Sequence, residues 1–276
     1  MRVGFIGTGS MGSILIEAFI ETKALLPSQI HASNRTFDKV KALAKRYTGL
    51  HAYPSNVRVV QRADIIFLCI KPLEFQTVID QIKDEVHEEH LIVSITSPVE
   101  IKDLERKLKA KVAKVIPSIT NSAGRGASLI MAGERLTERD KDVLFQLMKS
   151  ISHPLWLDEK YTRISADIAS CGPAFISFLL QRMIDAAVEE TGIPRDKAVT
   201  LFTQMMIGFG ALMAKNKFTL ESLQERVCVP GGVTGVGISV LEREVDDMFH
   251  KLFKATQLKF NEDVELVQEM FYKTST

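Results

Sequence analysis

The spacing of apolar positions divides the chain in two. Across residues 1–160, short apolar runs alternate with amphipathic stretches, the pattern of an open parallel sheet with helices on its faces. Val3-Gly4-Phe5-Ile6 predicts a first strand, and Ile14, Leu15, Ala18 and Phe19 form one face of a helix that stops before Pro27. Ile30-His31-Ala32-Ser33 predicts a second strand, Lys39 to Tyr47 a helix, and the residues near Leu50 a brief third strand. Asp64 to Ile70 is an almost continuous apolar run, as a central parallel strand buried on both faces requires. Helices are predicted at Phe75–Val86, Ile101–Leu108 and Glu138–Ser150. Further strands are predicted at Leu91–Ile95, Val112–Ile116, Ser128–Met131 and Pro154–Leu157.

From Tyr161 the strand signal ends. Ala174–Thr191 reads as a long helix, apolar on most faces through Phe175, Phe178, Leu179, Leu180, Met183, Ile184 and Val188. Further helices are predicted at Arg195–Lys215, Leu220–Arg226 and from Val236 to about Tyr272. A helix that is hydrophobic nearly all round must be covered. A region this small can hardly enclose several of them, so a second subunit is expected to cover them. The fold class expected is α/β: a doubly wound parallel sheet over residues 1–160, then an all-helical domain over 161–276 that pairs as a homodimer, possibly within a higher oligomer.

Composition narrows the partners. The chain has 276 residues, 46% hydrophobic and 25% charged, with a net charge of +1 and no run of one sign. No basic stripe favours nucleic acid or an anionic membrane. There is no leader pattern and no apolar run of about 18 residues, which predicts a cytoplasmic protein that neither is secreted nor spans a membrane. Cys69, Cys171 and Cys228 are unclustered, and the histidines lack ligand spacing, so no metal is expected.

The chemistry begins at the first strand, which leads into Gly7-Thr8-Gly9-Ser10-Met11-Gly12 and then a helix. Strand, GxGxxG turn and helix together cradle a dinucleotide pyrophosphate. Gly7 makes the tight turn, Gly9 lets backbone approach the phosphates, and Gly12 lets the helix pack on the strand. The helix starting at Ser10 and Met11 offers free N–H groups to the anion. The first domain is therefore expected to be of the Rossmann type. The second strand ends in Ser33-Asn34-Arg35-Thr36, with no carboxylate to hold a ribose 2′-hydroxyl before Asp38. Arg35 can pair with a 2′-phosphate, so NADPH is expected to be preferred over NADH.

Three further motifs resemble the pyrroline-5-carboxylate reductase family. Ala63-Asp64 through Ile70-Lys71-Pro72 is similar to its strand-plus-Lys-Pro signature. Cys171-Gly172-Pro173-Ala174-Phe175 is similar to its Ser-Gly-Pro-Ala-Tyr entry into the dimer helix, and Pro230-Gly231-Gly232-Val233-Thr234 to its Pro-Gly-Gly-Thr-Thr loop. The resemblance implies NADPH-dependent reduction of 1-pyrroline-5-carboxylate to proline in intertwined dimers. It places Asn56, Ile70, Lys71 and Pro72 on the cofactor, and Gly231, Gly232, Val233 and Thr234 on the substrate carboxylate. Thr234 and Lys71 are the candidate catalytic residues.

The substrate half departs from that pattern. Ser118 and Ile119 stand where the family has Asn and Thr, and Cys171 where it has Ser. Met205 replaces a Thr, Val229 a Ser, Val233 a Thr, and Gln181 a carboxylate. Each lost hydroxyl removes a hydrogen bond of about 1 kcal/mol. A catalytically impaired, dinucleotide-binding regulatory dimer is therefore the alternative, and its association with late competence is what a resemblance to a late-competence member of the family implies. A 2-hydroxyacid dehydrogenase is disfavoured, because no lysine lies between Ser170 and Gln181 to act as general acid or base.

Overall fold

The structure, a computed structural model, describes residues 1–272. The chain forms two compact units, Met1–Pro173 with the chain from Ala255 onward, and Ala174–Lys254. The first unit opens with β1 (Val3–Ile6), α1 (Ser10–Glu21), β2 (Ile30–Ser33), α2 (Phe37–Arg46), β3 (His51–Tyr53), α3 (Asn56–Val60) and β4 (Ile65–Leu68). It continues through α4 (Phe75–Ile82), β5 (Leu91–Ser94), α5 (Ile101–Lys107), β6 (Lys111–Ile116), β7 (Ala127–Ala132), α6 (Glu138–Lys149) and β8 (His153–Trp156). Among the described residues these eight strands form one sheet in the order β3-β2-β1-β4-β5-β6-β7-β8. The chain works outward from β1 to β3 on one side, then restarts at β4 on the other. That reversal leaves a crevice beyond the C-terminal ends of β1 and β4, where α/β sheets bind ligands.

Alternate strand residues bury themselves on opposite faces. Phe5, Ile30, Phe67 and Val93 meet Leu15 and Phe19 of α1 and Leu144 and Met148 of α6 on one face. Phe5 and Phe67 stack there with ring centroids 5.2 Å apart. Ile66, Leu68, Ile92 and Val112 meet Val59 of α3, Phe75 and Ile79 of α4 and Leu104 of α5 on the other.

Three features differ from the sequence expectation. β7 runs antiparallel to β6. The link between them, with its short 3-10 turn Ile119–Ala123 capped by Gly124 at φ +63°, is too short for the crossover a parallel pair needs. α3 was not expected, since the sequence pattern predicts no element there; it packs through the buried Val59 and Val60, although valines favour strands. The stretch expected as one helix from Val236 is two, α11 (Val233–Val245) and α12 (Met248–Tyr272). The chain breaks at Asp246, whose φ of +33° no helix accommodates.

Between β8 and the second unit lie α7 (Thr162–Ala166) and a π turn, Asp167–Cys171, which runs into α8 (Gly172–Thr191). α9 (Arg195–Ala214) and α10 (Leu220–Val227) follow before α11. Within the single chain α8 buries only Ile184 among its described side chains, and Phe178, Leu201 and Ile207 are exposed. The helical stretches Glu159–Thr191 and Arg195–Ala214 are long and apolar enough to cross a membrane by length and composition alone, each holding an 18-residue window with a mean hydropathy of 1.3. The end of α12 belongs to the first unit: Val267 and Phe271 join its core, and the Tyr272 hydroxyl donates to Asp103.

Within β2, His31 stacks on His51 of β3 with centroids 4.7 Å apart and contacts the Tyr53 hydroxyl at 3.2 Å. Burial, then the neighbouring His51, Arg2 and Arg62, lowers the His31 pKa from 6.5 to about 4, with Asp64 opposing weakly. The folded state therefore binds fewer protons than the unfolded state between those values. Stability from this site is complete above the unfolded pKa and is lost as pH falls toward the folded one. Urea unfolding at about pH 7 and about pH 4.5 should show a loss of about 2–3 kcal/mol from this residue. His31→Gln should flatten that part of the pH slope; an unchanged slope would contradict the assignment.

Candidate dinucleotide site

The crevice is a cleft of about 790 Å³ built from the ends of β1, β2 and β4 and the helices that follow them. Its floor is the glycine turn. Gly7 has φ +100°, and a Cβ there would overlap the Cys69 carbonyl oxygen; one at Gly12 would overlap the Gly7 carbonyl oxygen. Both positions therefore require glycine for the protein's own packing. Gly9 is different: nothing lies within 4 Å of the place its Cβ would take. It lines the open cleft, where a side chain would meet no neighbouring protein atom.

Gly9 is the N-cap of α1 and contributes no side-chain cap, so the first-turn amides at Ser10 and Met11 are not taken by one. Nearby, the Thr8 hydroxyl is buried and has no hydrogen-bond partner. A buried donor left unmet costs free energy, and a pyrophosphate oxygen is an acceptor of the right kind. The residues present thus fit a dinucleotide.

The walls are tied together. Gly7 N–H donates to the Ser33 carbonyl at 2.9 Å, and Thr8 N–H donates to Asn34 Oδ1 at 3.0 Å. Ser33 Oγ donates to Asn56 Oδ1 at 2.7 Å, and Asn56 Nδ2 donates to Gln81 Oε1 at 2.7 Å. Thr96 Oγ1 donates to the Ile70 carbonyl at 2.9 Å, fixing the strand end that leads to Lys71 and Pro72. Burial pushes the Cys69 thiol up, so it is no nucleophile at neutral pH. Among the described residues, no three His, Cys, Asp or Glu side chains gather to hold a metal.

Gly7, Gly9, Asn34, Arg35, Asn56, Ile70 and Lys71 all line this cleft. Ser10 and Met11 follow Gly9 in the first turn of α1, and Pro72 opens the 3-10 turn Pro72–Glu74 capped by Lys71. Thr36, Lys39 and Glu74 also line it and were not anticipated. The signal for Lys39 was in the sequence, since it stands one helical turn beyond Arg35 and Thr36. Glu74 gave none, because its partner Arg35 is 39 positions away.

Gly231, Gly232, Val233 and Thr234 belong to the second unit. Gly231 has φ +75°, Gly232 N–H donates to the Val229 carbonyl at 2.9 Å, and Gly232 caps α11 without a side chain. A left-handed glycine leading into a helix N-terminus presents successive amides that suit an anion.

Sequence and structure comparisons extend this picture. Residues 2–98 match the family model described as NADP oxidoreductase coenzyme F420-dependent, and residues 159–263 match pyrroline-5-carboxylate reductase dimerisation. ComE operon protein 4 of Bacillus subtilis (strain 168) is 44% identical, across 99% of this chain and 100% of the relative. Pyrroline-5-carboxylate reductase 2 of Rattus norvegicus is 31% identical, across 88% and 77%. The chain belongs to the pyrroline-5-carboxylate reductase family. A crystal structure of Plasmodium falciparum pyrroline carboxylate reductase with NADP bound shares its fold, with a TM-score of 0.80, 24% identity and 98% coverage of both chains.

Against the reductase pattern, the substituted positions divide by environment. The Ser118 side chain is fully buried, and its Oγ accepts from Thr120 Oγ1 at 2.9 Å. Cys171 Sγ accepts from Arg163 Nη2 at 3.2 Å, and Gln181 Nε2 donates to Ser177 Oγ at 3.4 Å. Ile119, Met205, Val229 and Val233 are exposed.

Proposed function

We propose that this reductase-family member is an NADPH-dependent reductase of a cyclic imine, either 1-pyrroline-5-carboxylate, converted to L-proline, or a closely related imino acid. The open amide cradle at Gly9, beside the unpartnered Thr8 hydroxyl, carries this reading. Preference for NADPH over NADH rests on Arg35, Thr36 and Lys39, which line the cleft and offer the cations and hydroxyl a 2′-phosphate needs.

When bound, NADPH supplies a hydride to the imine carbon. Gly7, Gly9 and Gly12 let the backbone and the amides of Ser10 and Met11 hold the pyrophosphate. Ser33, Asn34, Arg35 and Asn56 hold the adenosine ribose, while Ile70, Lys71 and Pro72 line the nicotinamide side. Gly231, Gly232 and Val233 bind the substrate carboxylate through backbone amides, and the Thr234 hydroxyl adds a donor. Positioning does most of the work, since a protonated imine accepts hydride readily.

In this reading residues 1–160 bind NADP(H), and residues 161–276 bind substrate and pair two chains in a cytoplasmic homodimer. The exposed Phe178, Leu201 and Ile207 support the pairing, and the three free cysteines suit a reducing compartment.

The second reading is a regulatory dimer that binds the dinucleotide without turnover. The inward-turned Ser118 hydroxyl and the exposed Val229 and Val233, which carry none, favour it. Purified protein mixed with NADPH and pyrroline-5-carboxylate separates the two. Loss of absorbance at the nicotinamide band is expected, and Thr234→Val should raise KM about tenfold with a smaller effect on kcat. NADPH binding without oxidation would select the second reading; failure to bind NADPH would remove both.

A further inference from the structure

Arg35 and Glu74 stand on opposite walls of the dinucleotide cleft. Arg35 follows β2, whereas Glu74 closes the turn between β4 and α4. They pair at 2.7 Å between Nη1 and Oε1, with the Arg35 side chain 87% exposed and that of Glu74 34%. Many exposed ion pairs among the described residues join positions one helix turn apart, such as Lys141 with Glu138 and Lys251 with Asp247. This one crosses a cleft, between positions 39 apart in sequence. Phe75, fully buried beside Glu74, anchors the turn, so the carboxylate is held at the cleft rather than free to leave with a mobile loop.

The chemistry of that placement is competitive. A guanidinium offers five donors in a fixed plane, and a carboxylate occupies one edge of it. A 2′-phosphate approaching the same guanidinium meets a like charge within a few ångströms. It must either displace Glu74 from Arg35 or bind beside it against repulsion. NADH carries no phosphate there and pays neither cost, and a carboxylate can accept a hydrogen bond from a ribose hydroxyl.

We infer that Glu74 is a specificity-determining residue of this cleft, whose carboxylate holds Arg35 across the opening and narrows the preference for the 2′-phosphorylated dinucleotide over NADH. The inference rests on the reading that the cleft takes NADP(H). Glu74 belongs to the cofactor site through its charge, and the opposing Arg35 is the group through which it acts.

The test is calorimetric titration of the full chain with NADPH and with NADH, for the wild type, Glu74→Gln and Glu74→Lys, at low and high salt. The ratio of NADPH to NADH affinity should rise about three- to tenfold in Glu74→Gln, and further in Glu74→Lys. The rise should shrink at high salt, as screening weakens both the pair and the repulsion. A ratio that stays flat or falls across this charge series, while the wild type binds dinucleotide, overturns the role of Glu74 and leaves the cofactor reading standing. A wild type that binds neither dinucleotide overturns both together.

Discussion

Replacing Gly9 by threonine should weaken NADPH binding by about a hundredfold or more while leaving the fold intact. The two halves of that expectation have separate causes. Gly9 has φ −73° and ψ −163° at the N-cap of α1, a conformation any residue adopts, and threonine is as good an N-cap as glycine. No protein atom lies within 4 Å of the new Cβ. The new Cβ stands in the open cleft, where it would meet a ligand pressed against the amides of the first turn. A pyrophosphate pushed out by even an ångström loses several charge-assisted hydrogen bonds, each worth about 1.5–3 kcal/mol. Gly12→Ala is the contrasting control. Its Cβ would overlap the Gly7 carbonyl oxygen, so it should lower the thermal midpoint as well as the affinity. Titration with NADPH and a melting curve on both variants check this. A Gly9→Thr protein that melts normally and binds NADPH as tightly as the wild type would show that the phosphates do not lie at this turn.

The cradle was legible in sequence because strand, glycine turn and helix are contiguous, so local spacing carries the whole signal. The same holds for β1 to β6 and, α3 apart, for the helices between them, whose apolar runs carry clear periods. Elements that failed were those decided by distant packing. α3 falls where the sequence pattern predicts no element; its five residues are too few to show a helical period, and its buried side chains are Val59 and Val60. The reversal of β7 depends on the length of one link, not on any property of the strand itself. In the cleft, Arg35 was visible as a cation after β2, but its pairing with Glu74 required the sheet to bring β4 beside β1. Residues 231–234 stand out through the family motif; in the structure Gly231 is left-handed, and Val233 and Thr234 open α11 behind the Gly232 cap.

Removing the Glu159 carboxylate should destabilise the first unit by about 3–5 kcal/mol, the usual cost of orphaning a buried charge. Lys114 on β6 is 1% exposed and pairs with Glu159 Oε1 at 2.6 Å. Its ammonium also donates to the Ser97 carbonyl at 3.0 Å. Glu159 lies in the turn that carries the chain from β8 into α7, and its Oε1 accepts the Ile101 amide at 3.0 Å, near the start of α5. Glu159→Ala loses both contacts. Glu159→Gln keeps an acceptor for Ile101 but not the charge, so the gap between the two variants isolates the hydrogen bond. Burial lowers the Lys114 pKa against the pull of Glu159, and without that carboxylate it should fall further. The unfolded chain then binds the proton that the folded chain rejects, so the stability of Glu159→Ala should rise with pH toward the ordinary lysine range. Lys114→Met combined with Glu159→Leu should recover the part of the loss at neutral pH that comes from the Lys114 charge, because two apolar groups of similar size need no ionic partner, but not the part from the Ile101 amide, which still lacks its acceptor. Urea unfolding of these variants at neutral and alkaline pH decides the matter. A Glu159→Ala protein as stable as the wild type, or one with no gain at high pH, would mean that water rather than Glu159 solvates the Lys114 ammonium.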